Sequence, residues 1–220
     1  MGAESLAWKI NVTATENIIE NCKKLGKKLL YVDTDYAFDG KKKLYTEEDA
    51  PHPLGWYGIT KYEGAKRVLA LGGNGLVMRI ANPYRAHPVG KKDFVHKMME
   101  RLQSGQDVVG ATDQVFVPTF IDDIARAVRA LIKASASGIY HVVGSTALSP
   151  YEAAGTIAKV LQLDTSHIKP TTFHAMFQDR APVPQFAALT NAKLSSLGVS
   201  MYTFEEGLKE MKKQEQEEKQ

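Results

Sequence analysis

Leu29-Leu30-Tyr31-Val32-Asp33-Thr34-Asp35-Tyr36-Ala37-Phe38-Asp39-Gly40 and, after a proline-bearing stretch, Tyr57-Gly58-Ile59-Thr60-Lys61 decide the reading of this chain. The first segment opens as a short apolar strand and passes into polar and turn residues. The second opens a helix, which puts Lys61 one turn after Tyr57 on the same face. A tyrosine phenol has a pKa of about 10, too high for acid–base work at neutral pH. A lysine cation nearby favours the phenolate and draws that value down. Thr34 adds a hydroxyl able to hold a carbonyl or alcohol oxygen. Together Thr34, Tyr57 and Lys61 would make a proton-transfer device for carbonyl reduction or alcohol oxidation. Tyr-x-x-x-Lys alone is a weak pattern, since most chance copies are a surface Tyr and a surface Lys on one helix.

Outward from these segments, helical patterns alternate with short apolar strands, which predicts an α/β fold with a parallel sheet. Residues 4–25 read as a helix with an apolar stripe of Leu6, Ile10, Val12, Ile18, Ile19, Cys22 and Leu25, ended by Gly26. Residues 33–56 form a long loop, and a loop of that length in a compact domain is more often functional than incidental. A helix follows over 57–71, then the turn Gly72-Gly73-Asn74-Gly75 and a strand over 76–80. Further on, helices are expected at 93–102, 121–134, 149–161, 191–197 and 204–213, with strands at 107–110 and 138–144 and an extended stretch over 114–120. Ser149, Pro150 and Glu152 form the start of a capping box. The polar residues 212–220 read as a solvated tail.

The chain has 220 residues, 44% of them hydrophobic and 24% charged, an ordinary globular composition that suits one or two domains. The net charge of +3 argues against a nucleic-acid or anionic-membrane partner. Lys41, Lys42 and Lys43 read as solvated turn lysines, with attraction of an anionic substrate as the alternative. Cys22 is the only cysteine, so no intrachain disulfide forms. No apolar run reaches the roughly 18–20 residues of a membrane helix. The first residues lack the pattern of a signal peptide, so the cytoplasm is the expected compartment. The six histidines show no ligand spacing and imply no zinc site.

The surroundings make the Tyr-x-x-x-Lys pair specific. Asp33 to Gly40, Tyr45-Thr46-Glu47-Glu48-Asp49, Pro51, and Tyr57-Gly58-Ile59-Thr60-Lys61 to Gly64 resemble the extended short-chain dehydrogenase/reductases, and within them the dTDP-4-dehydrorhamnose reductases. That branch carries Ser-Thr-Asp-Tyr-Val-Phe-Asp-Gly, an acidic turn, a Pro, then Tyr-Gly-x-x-Lys-x-x-Gly-Glu. Asp33 here replaces the usual Ser, and Ala65 stands where Glu often follows. Met78-Arg79-Ile80-Ala81-Asn82-Pro83-Tyr84 resembles the family's strand end near the nicotinamide. Asp113-Gln114 and Pro118-Thr119-Phe120-Ile121-Asp122-Asp123 resemble D-Q-x-x-x-P-T-x-x-x-D, and Gly138-Ile139-Tyr140-His141 resembles G-I-Y-H. Arg180-Ala181-Pro182 loosely resembles the R-P before the last helices.

The resemblance implies the C-terminal part of a Rossmann-like parallel sheet plus a small mixed α/β substrate-binding domain. Residues 1–85 would carry the NAD(P)-binding remnant. Residues 86–210 would form the nucleotide-sugar domain, with a returning strand near 115–135, and 211–220 the tail. It implies NAD(P)H-dependent reduction of a 4-keto nucleotide-sugar. Tyr57 would be proton donor, Lys61 would hold the nicotinamide ribose and Thr34 the reacting oxygen. Asn82 would join Tyr57 and Lys61 at the cofactor. Gln114, Thr119 and Arg180 would touch substrate, although Thr119 also reads as a strand end, Gln114 as a loop brace and Arg180 as a surface ion pair. Asp122 and Asp123 read as helix N-terminal caps, and Asn11 as helix-packing polarity.

No strand–Gly-x-Gly-x-x-Gly–helix opening is present, and the family pattern is met partway through. A fragment, a misplaced start, a chain completed by another polypeptide or homo-oligomer, and a reduced homologue all fit. The same branch includes the regulatory β subunit of methionine adenosyltransferase, so a non-catalytic binding role, or a truncated inactive product, is the alternative.

Overall fold

The structure, a computed structural model, describes residues 3–217. Helix α1 (Ala3–Trp8) runs through a π-helical segment (Lys9–Thr13) into α2 (Ala14–Leu25), and Gly26 ends it with a left-handed backbone at φ 61°. Strand β1 (Leu29–Thr34) leads through a single 3-10 turn at Asp35–Ala37 to α3 (Trp56–Leu69) and β2 (Gly75–Ile80). Then come β3 (Pro83–Tyr84), α4 (Phe94–Gln103), β4 (Val108–Ala111), β5 (Thr119–Phe120), α5 (Ile121–Lys133) and β6 (Gly138–His141). The chain closes with α6 (Pro150–Leu161), β7 (Ile168–Thr171), α7 (Phe173–Phe177), α8 (Ala192–Ser195) and α9 (Phe204–Glu217). The expected α/β fold with parallel strands is what forms.

The main sheet is parallel, in the order β1-β2-β6. Leu29, Tyr31 and Val77 pack on Ile19, Ala65 and Val68 of α2 and α3 on one face. Leu30, Leu76 and Met78 pack on Ala127 and Leu131 of α5 on the other. The strand that rejoins this sheet is β6. The segment expected to return, near 115–135, instead supplies β5, which pairs with β3 in a ladder of its own. A third ladder joins β4 to β7. Over these two ladders lies a second core, in which Tyr84, Phe120, Phe204 and Leu208 are buried.

Three details depart from expectation. The apolar stripe of the first helix divides: Val12 and Ile19 are buried, whereas Leu6, Ile10, Ile18 and Leu25 are exposed. The π segment spends one extra residue per turn, which resets which side faces α3. Helix α9 continues to Glu217, with Met211 fully buried and Gln214 donating to Asp122, so the expected solvated tail is helix as far as the described residues extend. Asp122 and Asp123 do not cap α5. The buried Asp123 accepts from the Tyr202 N–H at 2.6 Å and ties the chain before α9 to α5.

Beneath the ends of β1 and β2, Asp33 and Arg79 are register partners and form a fully buried ion pair at 2.9 Å. The Arg79 guanidinium lies over the Phe38 ring, 5.0 Å from its centre. Burial, and next the Arg79 charge, lower the pKa of buried His141 to about 3, which keeps the imidazole neutral. Asp33 Oδ1, both terminal Arg79 nitrogens and both His141 ring nitrogens have no hydrogen-bond partner among the described residues.

Candidate active site

Because β1 and β2 run parallel, their C-terminal ends open on the same side, where ligands of such sheets bind. An open cleft of about 610 Å³ lies there, and Thr34, Asp35, Tyr57, Lys61 and Asn82 line it. Helix α3 delivers Tyr57 and Lys61 from its first turns. Two glycines let it come close enough. A side chain at Gly58 would collide with the Tyr36 carbonyl, and one at Gly64 with the Asn11 carbonyl and the Tyr31 hydroxyl. The Asn11 amide donates to Thr60 Oγ1 at 3.0 Å, which locks the first helix to α3 and matches the packing role expected of it. Asn82 adopts a left-handed backbone at φ 42° and accepts from the Thr119 N–H, so the chain turns sharply at the cleft wall.

Half of the Tyr57 side chain is exposed, at 53%, and its ring meets Tyr36 edge-on with centres 5.7 Å apart. Burial of the Tyr57 hydroxyl end pushes the phenol pKa up. The Thr34 hydroxyl acts on the Tyr57 hydroxyl in the sense that favours the phenolate, and the Asp35 and Asp33 carboxylates add to the rise. This corrects the expectation that Lys61 draws Tyr57 down. The Lys61 ammonium is taken up by the Val32 carbonyl at 2.5 Å and lies 4.1 Å from the Tyr31 ring centre. Burial lowers the Lys61 pKa, against the pull of Asp33. The arrangement therefore holds Tyr57 as a phenol, the proton-donating form, at neutral pH. Thr34 donates to Asp35 Oδ1 at 3.0 Å and accepts from the Tyr36 N–H at 3.3 Å.

A second cavity of about 200 Å³ adjoins the cleft and shares Asp35, Tyr36 and Asn82 with it. Its other walls include Phe94, Met98, Phe116 and, from the 176–187 segment, Met176 and Phe177. Gln114 lines it. Thr119 does not reach it: the residue is fully buried and its hydroxyl accepts from the Gly144 N–H at 3.2 Å, a bond that leaves it bracing β5. Arg180 lines neither cavity. It is exposed and stands 5.5 Å from the Phe177 ring centre, at the rim rather than in the wall. Lys41 and Lys42 are paired with Asp39 and Asp49. Among the described residues no group of three or more His, Cys, Asp or Glu could hold a metal ion.

Asp35, buried at the junction of the two cavities, was not singled out from sequence. Its only signal was its place directly after Thr34. The Phe94, Met98 and Phe116 walls are apolar and carry no chemistry in the sequence that marks them as a site.

The cleft fits the nicotinamide end of a dinucleotide: an open floor at the strand ends, a lysine, and a hydroxyl pair. The described residues offer no Gly-rich strand–turn–helix to cradle its phosphates.

Comparison with known proteins agrees with this geometry. The family described as the RmlD substrate binding domain matches residues 2–217. Methionine adenosyltransferase 2 subunit beta of Mus musculus is 33% identical over 211 residues, which cover 93% of this chain and 63% of that protein. The chain thus spans less than two thirds of the length of that relative. The dTDP-4-dehydrorhamnose reductase of Mycobacterium tuberculosis is 29% identical over 204 residues, 90% of this chain and 66% of that one. The crystal structure of dTDP-4-dehydrorhamnose reductase from Bacillus anthracis in complex with NADP superposes with a TM-score of 0.85 at 27% identity, covering 94% of this chain and 73% of its own.

Proposed function

This chain belongs to the RmlD substrate binding domain family, and on that premise we propose that it carries the proton-transfer site of an NAD(P)H-dependent nucleotide-sugar 4-keto reductase. One observation carries the reading: Thr34, Tyr57 and Lys61 line a single cleft at the C-terminal ends of a parallel sheet. Tyr57, held as a phenol, donates its proton to the oxygen that develops negative charge on the substrate. Thr34 orients the Tyr57 hydroxyl. Lys61 and Asn82 would hold the nicotinamide ribose, and the cofactor would supply hydride to the carbonyl carbon. Gln114 and the apolar cavity would receive the sugar nucleotide. In this reading residues 1–85 form the cofactor side and 86–210 the substrate side. The exposed Leu6, Ile10, Ile18 and Leu25, with Val32 on the open edge of β1, support a further polypeptide or second copy covering that edge.

The test is NADPH-dependent reduction of a dTDP-4-keto sugar by the purified chain, beside fluorescence titration with NADPH and a dTDP-sugar. Tyr57→Phe should lose on the order of a hundredfold or more in turnover with sugar-nucleotide affinity unchanged. Retained turnover in that variant would overturn the assignment. A second reading, a binding subunit like that of methionine adenosyltransferase 2, is favoured by the 33% identity to that protein. It predicts nucleotide binding without turnover while Tyr57 is intact.

A further inference from the structure

Residues 173–185 leave the body of the protein and return to it at one place, the segment from Thr112 to Val115. At the first foot β7 runs beside β4, and the Thr112 N–H donates to the Thr171 carbonyl at 3.0 Å. At the second foot the Val115 N–H donates to the Gln185 carbonyl at 3.0 Å. Gly40 lies so close there that a side chain on it would collide with the Pro184 and Gln185 backbone. Between the feet the ties are few. Among the described residues no hydrogen bond or ion pair joins residues 174–184 to the rest of the protein; the bonds present stay within the segment or go to Thr172. Met176, Phe177, Val183 and Pro184 line the apolar cavity, whereas Asp179 and Arg180 are exposed. The segment is therefore a strap laid across the cavity with its apolar side inward.

Asp113 ties both feet. Its Oδ1 accepts from the Phe173 N–H at 2.6 Å. Its carbonyl accepts from the Gln185 side-chain amide at 2.8 Å, and Oδ2 stands 3.5 Å from the same nitrogen. The carboxylate is exposed to water, which competes for these bonds. Such a tie orders a loop and still breaks readily, and segments that open for ligands are held in this way.

We propose that residues 173–185 are a lid over the cavity and that Asp113 is the positioning residue that latches it. Release of the Phe173 N–H frees α7, and Met176 and Phe177 leave the cavity with it. The Gly40 and Val115 contacts keep the second foot in place as the hinge. The open lid admits the ligand of the cavity; only the identity of that ligand, a sugar nucleotide, rests on the reductase reading.

The test is the access of iodoacetamide to the cavity wall. In a chain carrying Cys22→Ala and Met98→Cys, Asp113→Ala should speed alkylation about tenfold. Asp113→Asn keeps an oxygen for the Phe173 N–H and should restore most of the protection. The native Cys22, on α2, should react equally fast with and without Asp113→Ala, because the fold as a whole is not loosened. A second readout leaves residue 98 untouched, so a misfolded Met98→Cys leaves it standing. Arg180 is the only lysine or arginine from Phe173 to Gln185, so trypsin nicks an opened lid after it. Asp113→Ala should raise that rate about tenfold as well. Equal rates with and without Asp113→Ala in either readout, or a faster Cys22, would overturn the proposal. Neither readout needs nucleotide or turnover, so failure of the reductase reading would show separately.

Discussion

Asp33 and Thr34 are neighbours at the end of β1, yet their side chains enter different chemistry. The Asp33 carboxylate is sealed in, paired with Arg79 and close to a neutral, buried His141. The Thr34 hydroxyl joins Asp35 and Tyr57 beside an open cleft. The pleat sends successive side chains to opposite faces of a strand, so one step of sequence turns Asp33 onto Arg79 and Thr34 onto Asp35, although the Asp33 charge still reaches Tyr57 and Lys61. On the dry side a charge persists only because a partner charge is held against it. On the cleft side Thr34 and Asp35 are buried as well, but they carry no partner charge and stand beside the half-exposed Tyr57.

The comparison is broken most severely at Arg79. Arg79→Met leaves Asp33 buried and unpaired, with an expected loss of about 3–5 kcal/mol in urea unfolding. Adding Asp33→Leu should restore much of that loss, and a double variant no better than Arg79→Met would show the pair to be worth more than its desolvation. On the cleft side the sharpest lesion is steric. Gly58→Ala drives a methyl group into the Tyr36 carbonyl and should cost about 2 kcal/mol, with α3 displaced from the Asp35–Ala37 turn. An unchanged midpoint for this variant would mean that the close approach is not needed.

The effect smallest per pH unit concerns His141, and its sign follows from the folded pKa of about 3 lying below the unfolded value of about 6.5. The unfolded chain binds the proton first, so His141 favours the fold above about pH 6.5, and that contribution is lost as pH falls toward 3. Asp35 acts oppositely: its folded pKa of about 6 makes the native state gain a proton first as pH falls. The clean readout is therefore a difference between proteins. Relative to His141→Leu, the unmutated chain should lose up to about 1.4 kcal/mol of stability for each pH unit below 6.5. Parallel pH profiles for the two proteins would show that His141 is protonated in the fold.

Much of the fold was legible because it rests on local pattern. The helices over 57–69 and 150–161, and the strands around 29–34 and 75–80, carry their periodicity, caps and turn residues within short windows. Strand β7 was missed. Pro170 interrupts its four residues, and its partner β4 lies about sixty positions away. Helix α7, five residues held by the Thr172 cap, is too short to show a period. At the site, Thr34, Tyr57, Lys61 and Asn82 line the cleft, and Asn82 and Gln114 line the second cavity. Thr119 does not, because whether a hydroxyl after a strand faces a ligand or a backbone N–H depends on Gly144, contributed from beyond the next helix.

The sequence by itself determined the α/β alternation, the βαβ unit from Leu29 to Ile80, and the Tyr57–Lys61 spacing on one helical face. All of these follow from residue type and from the repeat lengths of helix and strand. Only the tertiary structure decided that Lys61 would serve the Val32 carbonyl, that Asp33 would find Arg79, and that Asp35 would lie between two cavities with Thr34 in its grasp. Each depends on a distance across the chain, where desolvation and competing hydrogen-bond partners set the charge a group carries, and no local pattern records those.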